Sequence, residues 1–280
     1  MENKKRLSII TINYNNRDGL KKTIESVINQ TFQDYEYIII DGGSTDGSID
    51  VIKEFLDRIT YWISEKDSGI YNAMNKGVLV AHGEYVQFLN SGDILYNENV
   101  LANVFAIPFR EDIVCGNLLF DNGKIWEVPD DVTMEFFLNG SLPHPSSFIK
   151  RVLFEEHAYN EQFKIAGDWE FFVFHLVLKN ALYNKINIKI AVFDTNGISS
   201  ITKKEERDFE LRSHIISSYL YPRVLRDYRL FMGEEDSYHR LFYIISKSKF
   251  RKVVYFLVVL LLKIIMVNKN WISNFKLVEK

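Results

Sequence analysis

The chain has 280 residues with a hydrophobic fraction of 47%, enough for one large domain, or one domain with an appendage, around an ample core. Its single cysteine, Cys115, excludes an internal disulfide and a cysteine-built zinc site and makes a reducing compartment the default. The net charge of −3 is unevenly spread: residues 240–280 carry a net of +8 and the remainder a net of −11. Leu7 to Asn13 reads as a buried strand. A helix follows whose apolar positions Leu20, Ile24, Val27 and Ile28 recur with helical spacing. Tyr35 to Ile40 is a second strand ending at Asp41, and the Gly42 to Gly47 turn leads into a helix near Ser48 to Leu56. Ile59 to Ser64 is a third strand, followed by a helix near Ile70 to Ala81. Glu84 to Leu89 is a fourth strand, ending in Asn90-Ser91-Gly92-Asp93.

This alternation predicts a doubly wound parallel sheet. In such sheets ligands bind outside the carboxyl ends of the strands. Four polar clusters fall there: Asn13 to Asn16, Asp41 to Asp46, Asp67, and Asn90 to Asp93. The second half is less regular. Asp112 to Phe120 is an apolar run that makes Cys115 a buried strand residue. Asp121-Asn122-Gly123 is a hairpin turn, Pro143-His144-Pro145 a rigid loop, and Gly167 to Asn180 a helix with Asp168 near its start. No clean boundary precedes about residue 200.

Several of these residues are suited to chemistry. Asp41 can accept a hydrogen bond from a uracil or guanine ring N–H, and the Gly-Gly turn beside it permits close approach; the alternative is a turn-stabilising aspartate. Asp46 is better explained as a helix cap. Asp93 can hold a divalent cation that neutralises a diphosphate leaving group, with the Asn90 amide oxygen as helper, although taken alone the segment favours an ordinary turn. Asp168 can act as the base that deprotonates an acceptor hydroxyl, with an N-cap as alternative and Glu170 as a rival. His144 suits a contact to phosphate, metal or acceptor as well as it suits a plain loop position. The chain has no P-loop, no G-x-G-x-x-G and no paired-histidine spacing, which disfavours a dinucleotide dehydrogenase and a zinc hydrolase.

Taken in order, Ser8-Ile9-Ile10-Thr11-Ile12-Asn13-Tyr14-Asn15, Ser26-Val27-Ile28-Asn29-Gln30-Thr31, Asp41 through Gly47, Asp67 through Gly77 and His82 through Asp93 resemble the family 2 glycosyltransferases of the GT-A fold. Weaker matches follow at Pro143 to Phe148, Asp168-Trp169-Glu170 and Gly197-Ile198-Ser199. The resemblance implies a Rossmann-like, mostly parallel α/β sheet flanked by helices. It also implies a nucleotide-diphospho-sugar donor, UDP-linked by preference, a divalent cation (Mn2+ or Mg2+), and transfer with inversion to a glycan or lipid-linked acceptor. On this pattern Tyr14, Asn15, Asp41, Asp67, Asn75 and Ser91 belong to the nucleotide-sugar site, Asp93 to the metal, and Asp168 to the base. His144, Trp169 and Glu170 are candidate acceptor or phosphate contacts. The aspartate-rich metal motif of the family is here Asn90-Ser91-Gly92-Asp93, keeping only its last carboxylate. The Gln-x-x-Arg-Trp motif of the processive synthases is absent, which points to one sugar per encounter; the resemblance also implies a place in surface polysaccharide or glycolipid assembly. A catalytically inactive sugar-nucleotide-binding protein is the competing reading. A nucleotidyltransferase is disfavoured because the loop Asn13 to Arg17 lacks a glycine run.

The expected organisation is a GT-A domain over 1–200, with a nucleotide half to about 95 and an acceptor half from 96, and a helical, basic and apolar extension over 201–280. Val253 to Val267 carries one charge, Lys263. As a helix it would measure about 22 Å at 1.5 Å per residue, short of the ~30 Å hydrocarbon core. Lys247, Lys249, Arg251, Lys252, Lys269 and Trp271 flank it, so segment 247–272 reads as a helix at an anionic membrane interface. Packing on the domain or on a second copy as a homodimer is the next reading, and a membrane span the last. Met1 to Arg6 lacks the pattern of a signal peptide. The expected location is therefore cytoplasmic, peripheral at the inner face of the cell membrane, with no nucleic-acid partner.

Overall fold

The computed structural model describes residues 5–195, 215–232, 245 and 248–267. The expectations placed on Gly197-Ile198-Ser199 and on Lys247, Lys269 and Trp271 lie outside the described residues. The chain divides into two compact units, Met1–Arg212 and Ser213–Lys280.

The first unit is built on a nine-stranded sheet. Strands β1 (Leu7–Asn13), β2 (Tyr35–Asp41), β3 (Tyr61–Ser64) and β4 (Tyr85–Phe88) alternate with helices α1 (Arg17–Ile28), α2 (Ser48–Glu54) and α3 (Ile70–Leu79). These four strands lie in the order β3-β2-β1-β4, all parallel. Every residue of β1 is buried, the polar Ser8, Thr11 and Asn13 included, as expected of a strand covered on both faces. One face, with Leu7, Ile9, Tyr37 and Ile39, shares a core with Leu20, Ile24 and Val27 of α1 and Val51 and Ile52 of α2. Each of these side chains contributes about 1.5–3 kcal/mol by leaving water. The other face receives α3, where a Cβ on Gly77 would meet Ile10 Cγ2 at 2.5 Å and Ile40 Cγ1 at 3.4 Å.

Beyond β4 the sheet becomes mixed. Strand β8 (Ser147–Lys150) runs antiparallel to both β4 and β6 (Ile113–Phe120). β6 is flanked in turn by parallel β9 (Tyr183–Phe193), and β5 (Ile94–Leu95) closes the far edge antiparallel to β9. β7 (Ile125–Trp126) forms the hairpin with β6 across the Asp121–Gly123 turn. Cys115 lies in β6 and is fully buried. Helices α4 (Val100–Phe105), α5 (Met134–Asn139), α6 (Leu153–Glu156) and α7 (Gly167–Phe172) complete the unit. The single helix expected over 167–180 is α-helical only through α7 and continues as a wider π-helix, Val173–Leu178.

The second unit contains α8 (Pro222–Met232) and α9 (Arg251–Val267). On α9, Val253, Tyr255, Phe256, Leu257, Val258 and Leu260 are all exposed. No helix of the described residues is long and apolar enough to cross a membrane.

Candidate active site

The carboxyl ends of β1, β2 and β3 fall in register, Asn13 beside Asp41 and Asp41 beside Ser64. Asp41 is fully buried. Its Oδ1 accepts from Asn13 Nδ2 at 2.7 Å and Ser44 Oγ at 2.6 Å. Its Oδ2 accepts from Ser64 Oγ at 2.6 Å and from the backbone N–H groups of Ser44 and Gly43 at 2.9 and 3.2 Å. Burial pushes the Asp41 pKa up, and the bonds from Ser44, Ser64 and Asn13 outweigh it, leaving the carboxyl below its ordinary range. Asn15 takes a left-handed conformation, φ 48°. Its N–H donates to Ser44 Oγ and its Oδ1 accepts from Thr45 N, at 2.8 and 2.9 Å. The 42–47 loop is thereby fixed to the end of β1.

Above this base lies an open notch. Tyr14 is 63% exposed. A Cβ on Gly42 would come within 3.1 Å of Asp67 Oδ2 and 3.2 Å of Tyr14 Cδ2, so the glycine leaves room between the ring and the carboxylate. Asp67 Oδ1 accepts from Lys76 Nζ at 2.6 Å, and Lys76 also pairs with Glu65 at 2.7 Å. An aromatic face, a carboxylate oxygen and bare backbone around one space can stack and hydrogen-bond a flat heterocycle. At the neighbouring strand end, Asn16 caps α1 through Gly19 N and donates from Nδ2 to Ser91 O at 2.9 Å, joining the first loop to the 90–93 segment.

Asp168 stands in the first turn of α7, partly exposed, with Oδ1 accepting from Tyr71 Oη at 2.9 Å. Glu170 is fully buried and takes His157 Nε2 at 2.9 Å. The two carboxylates therefore differ in kind: one is reachable from solvent, the other is sealed into the core. A cleft lined by Arg6, Glu84, Phe109 and Lys150 opens at the opposite edge, where β1 and β4 begin, away from all of these groups.

The sequence profile described as Glycosyl transferase family 2 matches residues 8–175. The chain belongs to glycosyltransferase family 2. It is 32% identical to an uncharacterized glycosyltransferase of Mycobacterium tuberculosis H37Rv over 206 residues, 69% of this chain and 77% of that one. It is 31% identical to a PGL/p-HBAD biosynthesis glycosyltransferase of Mycobacterium bovis BCG over 172 residues, 59% of this chain and 67% of that one. Among solved structures, S. aureus TarS in complex with UDP-GlcNAc matches with a TM-score of 0.64 at 18% identity, over 88% of this chain and 77% of that chain. In another TarS crystal structure the match spans 39% of that chain. The mannosyltransferase PcManGT of Pyrobaculum calidifontis, in complex with GDP-Man and Mn2+, matches with a TM-score of 0.53 at 15% identity, over 77% of this chain and 63% of that chain. At these identities the structures show the fold, the α/β GT-A plan.

Divalent cations are common in GT-A enzymes, and they favour several hard oxygen ligands, usually carboxylates. In this glycosyltransferase Asn90 Oδ1 is buried and without a partner, a single neutral donor. Asp93, the expected ligand, is 4% exposed, and its Oδ1 accepts from Asp194 N at 3.1 Å. Burial pushes its pKa up to about 8; the bond from the Asp194 N–H opposes this and the Asp194 charge adds to it. Among the described residues no group of three His, Cys, Asp or Glu is arranged to hold an ion. The oxygens gathered here are Asn90 Oδ1, the Asp93 carboxylate and the Asp194 carboxylate, whose Oδ2 lies 2.9 Å from where a Gly92 Cβ would stand. Asp93 ties the 90–93 segment to the end of β9.

Other expected contact residues have partners within the fold. Asn75 gives Nδ2 to Tyr159 O and to Glu161 Oε1, each at 2.9 Å, and its Oδ1 takes Tyr159 N at 3.1 Å, so its amide is spent on the 159–161 segment. Trp169 is 1% exposed and donates Nε1 to Phe137 O at 2.8 Å. His144 is buried, stacked on Phe88 with centroids 4.9 Å apart, and bonded through Nε2 to Tyr159 Oη at 2.7 Å. Burial lowers its pKa, with the Asp168 charge acting the other way. Glu170 is buried against His157. Sequence reasoning passes over Asn13, Ser44 and Ser64 as partners of Asp41, and Tyr71 as the partner of Asp168. Strand register points to Asn13 and Ser64, and Ser44 follows Asp41 in the same turn; Tyr71 lies inside the Asp67 to Gly77 motif but reaches Asp168 only through tertiary structure.

Proposed function

We propose that this chain is an inverting transferase. It would move a sugar from a nucleotide-diphospho-sugar, UDP-linked by preference, to a hydroxyl of a glycan or lipid-linked acceptor in surface polysaccharide or glycolipid assembly. The reading rests chiefly on Asp168, a part-exposed carboxylate whose one oxygen is already held by Tyr71. As the acceptor oxygen attacks the anomeric carbon from the face opposite the diphosphate, Asp168 takes its proton. Tyr14 and Asp67 receive the nucleobase side of the donor, with Asn15 and Ser91 shaping the loops around it. Asp41 acts from beneath by holding the 42–47 loop. TarS, in complex with UDP-GlcNAc, supports a nucleotide-sugar donor, and the PGL/p-HBAD biosynthesis glycosyltransferase supports a biosynthetic transfer. The first unit carries the transfer. In the second, the exposed apolar side chains of α9, with Lys249, Arg251 and Lys252 at its start, suit an anionic membrane surface and a peripheral position at the inner face of the cell membrane.

The test is a panel of UDP-, GDP- and dTDP-sugars assayed for transfer and hydrolysis with the wild type, Asp168→Asn and Glu170→Gln. Loss of turnover in Asp168→Asn, with donor affinity kept, supports the reading. An Asp168→Asn variant at full rate refutes it, and no turnover with any donor favours a sugar-nucleotide-binding protein.

A further inference from the structure

We infer that Tyr71 is a positioning residue for transfer: its hydroxyl fixes the Asp168 carboxylate so that the second oxygen faces the acceptor. The inference rests on the reading of Asp168 as the base. Tyr71 Oη donates to Asp168 Oδ1 at 2.9 Å, and Oδ2 takes no donor among the described residues. The ring is 5% exposed and reaches Asp168 by crossing Gly167, where a Cβ would stand 2.7 Å from Tyr71 Cε2. No larger residue at 167 would leave that path open. Burial, and then the Asp168 charge, push the Tyr71 phenol well above its ordinary value, so it stays a proton donor throughout the working range of an enzyme.

The contact joins two functional segments. Tyr71 is in the first turn of α3, just beyond Asp67 in the notch, while Asp168 begins α7. The same helix is clamped to the 159–161 segment independently of the phenol, by Asn75 in both directions and by Asn72 Nδ2 to Glu161 Oε2 at 2.8 Å. Removing the Tyr71 hydroxyl therefore deletes its charge-assisted bond to Asp168 and its contacts with the Asp168 and Gly167 backbone N–H groups, and leaves the ring and the clamp. The other titratable groups around Asp168 are Tyr159 and His144, both coupled to its charge. They are bonded to each other through Tyr159 Oη and His144 Nε2 and leave the carboxylate to Tyr71.

In Tyr71→Phe a bond to a charged group and the orientation it gives are both lost, so kcat should fall about 10- to 100-fold, with the donor KM within about threefold. Gly167→Ala, which displaces the ring, should reproduce the fall in kcat at a near-constant KM. The experiment measures kcat, donor KM and calorimetric UDP affinity for the wild type, both variants and Asp168→Asn. If Asp168→Asn is inactive while Tyr71→Phe matches the wild type in kcat, the positioning role is wrong. It is also wrong if UDP affinity falls in parallel with kcat, since the residue would then serve only the fold. If Asp168→Asn keeps its rate, the reading of the base fails first, and the two failures are told apart.

Discussion

Asn13 and Asp41 end adjacent parallel strands at the same register and are joined by a bond of 2.7 Å from amide to carboxylate. Asp41 gathers three strand ends and a loop onto one buried anion. Asp41→Ala leaves the Asn13, Ser44 and Ser64 donors without their acceptor. The expected cost is about 2–4 kcal/mol of stability, with UDP affinity falling because the 42–47 loop loses its anchor. Urea melts and calorimetry on the same protein check both effects. Unchanged affinity in a destabilised protein would separate the loop from the nucleotide.

The sign of the acid response follows from the same residue. The Asp41 pKa is lowered in the folded chain. Its stabilisation is therefore complete above the unfolded value, near pH 4, and is lost as pH falls through the lower folded value. Asp41→Asn should flatten the stability profile in that acid window, measured by melting temperature between about pH 2 and 5.

Asp93 behaves in the opposite sense. Its folded pKa is raised to about 8, so the folded chain keeps a proton that the unfolded chain releases near pH 4. Stability from this group is full below pH 4, declines as pH rises, and levels off above about 8. Asp93→Asn keeps an acceptor for Asp194 N and never ionises. Its melting temperature relative to wild type should rise from pH 6 to pH 8.5. A gap independent of pH would place the ionised carboxylate in a solvated setting and reopen a role as cation ligand.

The neutral 90–92 segment makes a prediction about chelation. With no carboxylate cage among the described residues, replacing Mn2+ by EDTA should change calorimetric UDP affinity by no more than about threefold, whereas Asn90→Asp should add a Mn2+-dependent gain. A wild-type loss of tenfold or more on chelation would show that the donor set around Asn90 suffices.

For α9, a basic residue at an anionic surface is worth about 1 kcal/mol. The full-length triple variant Lys249→Gln, Arg251→Gln, Lys252→Gln should bind phosphatidylserine-containing vesicles about 100-fold more weakly. UDP affinity should be unchanged, and salt should weaken the wild type in the same direction. Vesicle binding indifferent to both changes, together with a dimer in sedimentation, would favour packing between copies.

The first four strands are legible because each is a short, mostly apolar run that gives way at once to polar residues, at Asn13, Asp41, Ser64 and Asn90. What lies beyond is harder to read. β8 is four residues long, follows directly on the 143–146 turn and shows no period of its own. β9 does carry a signal, with Ile186, Ile188 and Ile190 alternating with Asn187 and Lys189, but its parallel pairing with β6 cannot be read from spacing. At the site, sequence identifies which residue types collect at the strand ends and not which way they turn. Asp168 and Glu170 look equivalent until their burial is known. Asn75 looks like a ligand contact because its true partners, at Tyr159 and Glu161, lie far along the chain. The Asn90 to Asp93 segment reads as a damaged metal motif, whereas the bond from Asp194 that explains Asp93 comes from far along the chain.

The antiparallel strand β8 has a consequence for dissecting the molecule. It occupies the edge of β4 on one side and of β6 on the other. A fragment ending near residue 95 would leave β4 with a bare row of backbone donors and acceptors, open to pairing with any extended chain. The complementary fragment would leave β8 with the matching bare edge. Expressed separately, the two pieces should aggregate; expressed together, they should anneal through the β4–β8 seam, making the chain a candidate for split-protein reconstitution and not for domain trimming.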